Sequence, residues 1–185
     1  GETADGHENG RAELPAAFVM AVIQGFQVIN NDVLRSVRYM LDSSDARIVE
    51  IIALGDGSVT REDVTAFLKK EDDEGFRECP DEVMGHFLNG LVIFRRGKDE
   101  SRPTPALELP LSNNTVLKKL RVAFNLKEDD MFAVFALAGF KVNKPELSAL
   151  FRKEGQKNYR PCGDQFLRNF LKGLTLRVRG SSASA

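Results

Sequence analysis

The stretch Asn158–Leu174, "NYRPCGDQFLRNFLKGL", has a weaker twin at Gly75–Leu91, "GFRECPDEVMGHFLNGL", 83 positions earlier. Extending the overlay outward at the same offset aligns residues 30–97 with 113–180 without a gap. Asn30-Asn31 meets Asn113-Asn114, Val33-Leu34 meets Val116-Leu117, and Ala53-Leu54 meets Ala136-Leu137. Lys70-Glu71, Arg77, Cys79 and Asp81 meet Lys153-Glu154, Arg160, Cys162 and Asp164. In all, 20 of 68 positions are identical in register, which identifies a tandem duplication.

Each copy reads as four helices and neither shows period-2 strands, so the expected fold is all-α. In the twin stretches Val83, Met84, Phe87, Leu88 and Leu91 correspond to Phe166, Leu167, Phe170, Leu171 and Leu174. This i, i+1, i+4, i+5, i+8 spacing gives one broad apolar helical face. A first helix is expected over 32–41 and 115–124, with the Asn-Asn pair as N-cap. A second is expected over 45–54 and 129–138, stopped by Gly55 and Gly139. The third opens on Thr60-x-x-Asp63 or Asn143-x-x-Glu146, a capping-box pattern, with Pro145 tolerated in the first turn.

The flanks divide the rest. Residues 1–29 are an extension with a polar, Gly-rich start and an apolar run, Leu14–Ile29, expected to form an extra helix. At 16 residues that run is short for a membrane span, and the acidic residues before it do not suit a signal peptide. Residues 98–112 form a Pro-bearing linker, and 181–185 read as a frayed tail.

The composition is that of a globular protein, 42% hydrophobic and 29% charged, with 13 Phe, 2 Tyr and no Trp. Two cysteines make no disulfide framework, which suits a reducing, cytoplasmic setting. The net charge of −1 conceals a division. Residues 30–97 carry 9 Lys+Arg against 14 Asp+Glu (net −5), and residues 113–180 carry 14 against 6 (net +8). Such asymmetry bears on partners.

The chief candidate site is the loop before the last helix, "FRKEGQKNYRPCGD" (Phe151–Asp164). Arg152, Lys153, Lys157 and Arg160 surround Tyr159, a pattern that suits phosphates and a stacked base. The N-terminus of the following helix, opening at Gly163, favours an anion. Arg168 and Lys172 continue the positive charge along that helix. The plain alternative is a solvated loop whose Tyr159 plugs the core as Phe76 does in the first copy. There the same loop is reversed in sign by Glu71, Asp72, Asp73, Glu74 and Glu78. The second and third helices, Asp129–Lys153, resemble a helix-turn-helix, although short helix pairs are common in any all-α protein.

Other chemistry has little support. Cys79 and Cys162 precede helix N-termini, where a thiol can be activated, but a small buried cysteine is the commoner reading. His86 has no second histidine to join it, no Cys/His metal spacing occurs, and "GDG" (Gly55–Gly57) lacks the rest of a phosphate-cradling loop. No cofactor or metal is expected. The leading expectation is a non-enzymatic binding protein, with regulation among its candidate roles, whose basic second repeat contacts nucleic acid. The alternatives are an interaction module with an acidic protein partner, or a homo-oligomer pairing acidic with basic repeats, and third a thiol-dependent enzyme or redox protein. No membrane partner is expected.

The stretches "NNDVLRSVRYMLD", "KKEDDEGFRECPDEVM", "FLNGLVIFRRGKDESRP", "KPELSALFRK" and "KNYRPCGDQFLRNFLKGL" closely resemble the YehS-like bacterial proteins. The resemblance covers about Asn30 to Arg179 and leaves out the N-terminal extension. It implies a small bacterial-type cytosolic chain with two tandem domains of unknown function. It implies no activity and transfers no functional residues.

Overall fold

A computed structural model describes residues 27–183, so the apolar run before Gln27 lies outside the described residues. Among the described residues the regular structure is eight helices and no strand. The first repeat holds α1 (Asn30–Leu41), α2 (Asp45–Leu54), α3 (Arg61–Leu68) and α4 (Asp81–Arg96). The second holds α5 (Asn113–Ala123), α6 (Glu128–Leu137), α7 (Lys144–Leu150) and α8 (Asp164–Ala183). Gln27–Ile29 lead into α1 without regular structure, and α8 runs on through residues that composition assigns to a tail.

The apolar face predicted for the last helix is the core. Phe87, Leu88, Leu91 and their equivalents Phe170, Leu171 and Leu174 are buried in one cluster that also takes Leu34, Ile48 and Ile51 with Leu117, Met131 and Val134. Each such side chain contributes about 1.5–3 kcal/mol of burial. Within a repeat, α4 packs on α2 and α8 on α6. Between repeats, α4 packs on α5 and α8 on α1. The duplication is thus closed reciprocally, each last helix lying on the other repeat's first helix.

Two glycines shape the first α2–α4 crossing. A Cβ on Gly90 would fall inside the Ile51 carbonyl oxygen, and one on Gly55 inside that of His86. Gly173 meets the Val134 carbonyl in the same way. Gly55 therefore does not stop α2 as a left-handed cap; its φ is −89°, and Asp56 takes the positive φ of 68°. Gly139, with φ of 71°, does serve as expected.

The Asn pair does not cap the first helices either. The N-caps are Ile29 and Ser112, one residue earlier; Asp32 accepts from the Ile29 N–H at 3.0 Å and Ser112 Oγ from the Thr115 N–H at 3.2 Å. The asparagines instead reach across the repeat. Asn31 Nδ2 donates to the Phe67 and Arg77 carbonyls at 2.9 and 2.8 Å, and its Oδ1 accepts from the Cys79 N–H at 2.9 Å. Asn114 does the same with Leu150, Arg160 and Cys162 at 3.0, 2.9 and 2.8 Å. Asn30 and Asn113 donate to the carboxylates of Asp81 and Asp164 at 2.7 and 2.8 Å. The shared residues of the opening stretch are the receiving end of this clamp.

The capping pattern at α3 is complete: Thr60 accepts from the Asp63 N–H at 3.1 Å and Asp63 from the Thr60 N–H at 2.8 Å. These bonds, with Arg77 at 2.6 Å, hold the Asp63 carboxyl down at about 2. At α7, Asn143 accepts from the Glu146 N–H at 2.9 Å, and its amide also bonds the Glu146 carboxylate.

Candidate nucleic-acid interface

The seven basic and aromatic candidates do not form one surface. Arg152, Lys153 and Tyr159 line a cleft of about 300 Å3 between the α7–α8 loop and the start of α5. Lys118, Ser112, Thr115 and the linker residue Glu108 complete its walls, with Glu154 at the loop side. Lys157 stands exposed on the same loop. Arg160 lies with its guanidinium 5.4 Å from the Phe166 ring centroid, a cation–π contact that anchors the loop. Arg168 and Lys172 line a different, mainly apolar groove between α1 and α8, together with Val28, Leu171 and Leu176.

Local chemistry explains why the loop sits where it does. The Arg160 N–H donates to the Ala149 carbonyl at 3.2 Å, and its own carbonyl accepts from Asn114. Asn158 takes a positive φ of 66°, turning the chain ahead of Tyr159. Tyr159 is half-buried and lines the cleft, whereas Arg152, Lys153 and Lys157 are exposed. Among the described residues none of these three cations forms an ion pair. The ion pairs of the two repeats run within a repeat, as in Arg77–Asp63 at 2.6 Å and Arg177–Asp130 at 2.6 Å. Among the described residues of one chain, no ion pair joins the acidic loop of the first copy to the basic loop of the second.

The first repeat bridges the equivalent positions. Arg35 donates to the Lys69 carbonyl at 2.7 Å and pairs with Asp32 at 2.5 Å, and Lys69 donates to the Glu74 carbonyl at 2.9 Å. At the matching positions the second repeat has Lys118 for Arg35, Thr115 for Asp32 and Arg152 for Lys69. A lysine lacks the guanidinium fork that spans to a carbonyl and a carboxylate together. Thr115 turns its hydroxyl to Glu108 at 3.0 Å. Sequence reading passes over Lys118 because Arg-to-Lys looks conservative; the available signal was the loss of the Asp32 carboxylate at Thr115.

Other expectations are revised. The start of α8 does not face the basic cleft: Asp164 lines a polar recess with Asn30, Asp81 and Asn113, and its own carboxylate occupies that helix end. The helix-turn-helix resemblance is weak in three dimensions. The pairing of α2 with α3 is not matched by α6 and α7; α6 lies on α8. At seven residues α7 makes about two turns, little length to lay in a major groove. Among the described residues no helix is long and apolar enough to cross a membrane, and no group of three His, Cys, Asp or Glu is placed to hold a metal.

Cys79 and Cys162 are buried and unbridged. Burial pushes each thiol up to about 12, with the Asp81 and Asp164 carboxylates adding to it. A thiol raised in this way holds on the order of 10³-fold less thiolate than a free one at neutral pH. Labelling of native protein with a disulfide reagent at pH 8 should run at least about 100-fold slower than in urea; comparable rates would show accessible thiols. The linkage has one sign: the contribution is whole below the ordinary value of 9.0 and is lost as pH rises from there toward about 12. Native stability therefore falls across that window, less so in Cys79→Ala.

Residues 30–97 and 113–180 each match the family described as "Protein of unknown function (DUF1456)". The chain is also similar to "Uncharacterized protein YehS" of Escherichia coli (strain K12), 51% identical over 150 residues, which is 81% of this chain and 96% of that one. No solved structure matches it. By both repeat matches and this identity, the chain belongs to the YehS-like family of tandem-repeat proteins of unknown function.

Proposed function

We propose that the protein acts by binding rather than catalysis, and that its second repeat contacts the phosphates of a nucleic acid. The observation that carries this reading is a set of cations, Lys118, Arg152, Lys153 and Lys157, gathered around one cleft on a repeat of net charge +8. Cations without acid partners are free to exchange condensed counterions for phosphate contacts. The high thiol pKa values support binding over thiol chemistry. Reduced, buried cysteines in both repeats support a cytoplasmic setting.

Salt is the direct test. With four phosphate contacts, affinity for a mixed-sequence oligonucleotide should fall by about 50- to 150-fold between about 50 and 200 mM monovalent salt. Fluorescence anisotropy of labelled DNA and RNA reads this out. An affinity that is flat in salt, or no binding at about 50 mM, removes the proposal.

A further inference from the structure

We propose that the cleft of the second repeat takes a single unpaired nucleobase, stacked on Tyr159, from a single-stranded nucleic acid whose flanking phosphates lie on Lys118, Arg152 and Lys153. This rests on the nucleic-acid reading above and narrows it from a charged surface to a pocket with a defined occupant.

The duplication supplies the internal control. Both repeats build the same clamp, but the side chains beside it differ. In the first copy the Arg35 bridge to Asp32 and the Lys69 carbonyl crosses the space. In the second, Lys118 and Thr115 leave about 300 Å3 open beside Tyr159. That volume lies at the small end for ligand sites and suits one base with its sugar.

The mixed charge of the walls decides what goes in. A free phosphate seated inside would meet Glu108 and Glu154. A base carries no charge, and its exocyclic amino group can donate to a carboxylate, as cytosine N4 does to Glu or Asp. The half-buried Tyr159 ring offers a stacking face for any base. Phosphates then sit outward on the exposed cations. Bases in a duplex are already stacked and paired and cannot enter such a cleft without being extruded.

The sequence also provides the probe. With 2 Tyr and no Trp, Tyr39→Phe leaves Tyr159 as the sole strong intrinsic emitter. Titrating that variant at low salt with a single-stranded oligonucleotide and with its duplex should quench tyrosine emission for the single strand only. The single strand should bind at least about 10-fold tighter than the duplex, and Tyr159→Ala should cost it about 5- to 150-fold while Tyr159→Phe retains most of the affinity. Combining Thr115→Asp with Lys118→Arg installs the pair that the first repeat holds at those positions, and should remove the quench while circular dichroism shows the variant still folded. If single strand and duplex bind equally, with the same salt slope and no quench, the base pocket is wrong and the phosphate-contacting surface stands. If neither strand binds at low salt, both fall.

Discussion

Gly90→Ala should lower thermal stability by about 6–12 °C, an effect of about 3 kcal/mol or more. The expectation runs against helix propensity, which favours alanine over glycine in mid-helix by about 1 kcal/mol. Gly90 lies inside α4, and a methyl group there would enter the Ile51 carbonyl oxygen of α2. Backbone cannot swing aside as a side chain can, so α2 and α4 must separate. Separation opens the packing of Ile48 and Ile51 on Phe87 and Leu91, and the lost contacts outweigh the propensity gain. Gly180, also helical, provides the contrast, because among the described residues nothing lies within 4 Å of its added Cβ. Gly180→Ala should leave the melting temperature unchanged or slightly raised. Equal melting of Gly90→Ala and the parent would refute the close-packed crossing.

Asn31→Ala should cost about 3–5 kcal/mol, read as a fall in the urea midpoint at unchanged slope. Asn31 is fully buried, 0% exposed, and makes three bonds to main chain. Removing its amide leaves the Phe67 and Arg77 carbonyls and the Cys79 N–H without their partner. Each buried group left unmet costs about 1–3 kcal/mol, and part of this is recovered if water enters. Asn114 makes the same bonds but is half-exposed, so Asn114→Ala should cost less. A cost below about 1 kcal/mol for Asn31→Ala would show that the loop holds itself without the clamp.

These two predictions concern residues that the duplication marks as shared without saying what they do. Gly97 and Gly180 are aligned and identical, yet Gly97 ends α4 with a φ of 86° while Gly180 continues inside α8. Gly55 ends α2 as its position suggests, without a left-handed φ, and is also a point of backbone contact. The Asn pairs look like caps because asparagine before a helical pattern usually is one. Their actual partners lie 36 to 51 residues away, and no local rule reaches that far. The Arg47 and Asp130 positions also correspond, and each reaches the last helix by different chemistry. Arg47 stacks over Phe94 at 5.5 Å, whereas Asp130 pairs with Arg177 at 2.6 Å.

The two-repeat organisation, the all-α class and the core face were legible because they rest on periodicity and internal identity, which are properties of the chain in order. The opening segment's apolar stripe is a case in point: Phe170, Leu171 and Leu174 are buried as their spacing requires. The grouping of the cations was not legible. Lys118 precedes Arg152 by more than thirty positions and joins it only because α5 and the α7–α8 loop are drawn together by Asn114. Arg168 and Lys172, close to the loop in sequence, are carried by α8 to a groove against the first repeat. Charge along the chain is a local count. Which charges share a surface depends on helix direction and on hydrogen bonds between distant segments: the first grouping is set when the second repeat folds, the second when the two repeats close on each other.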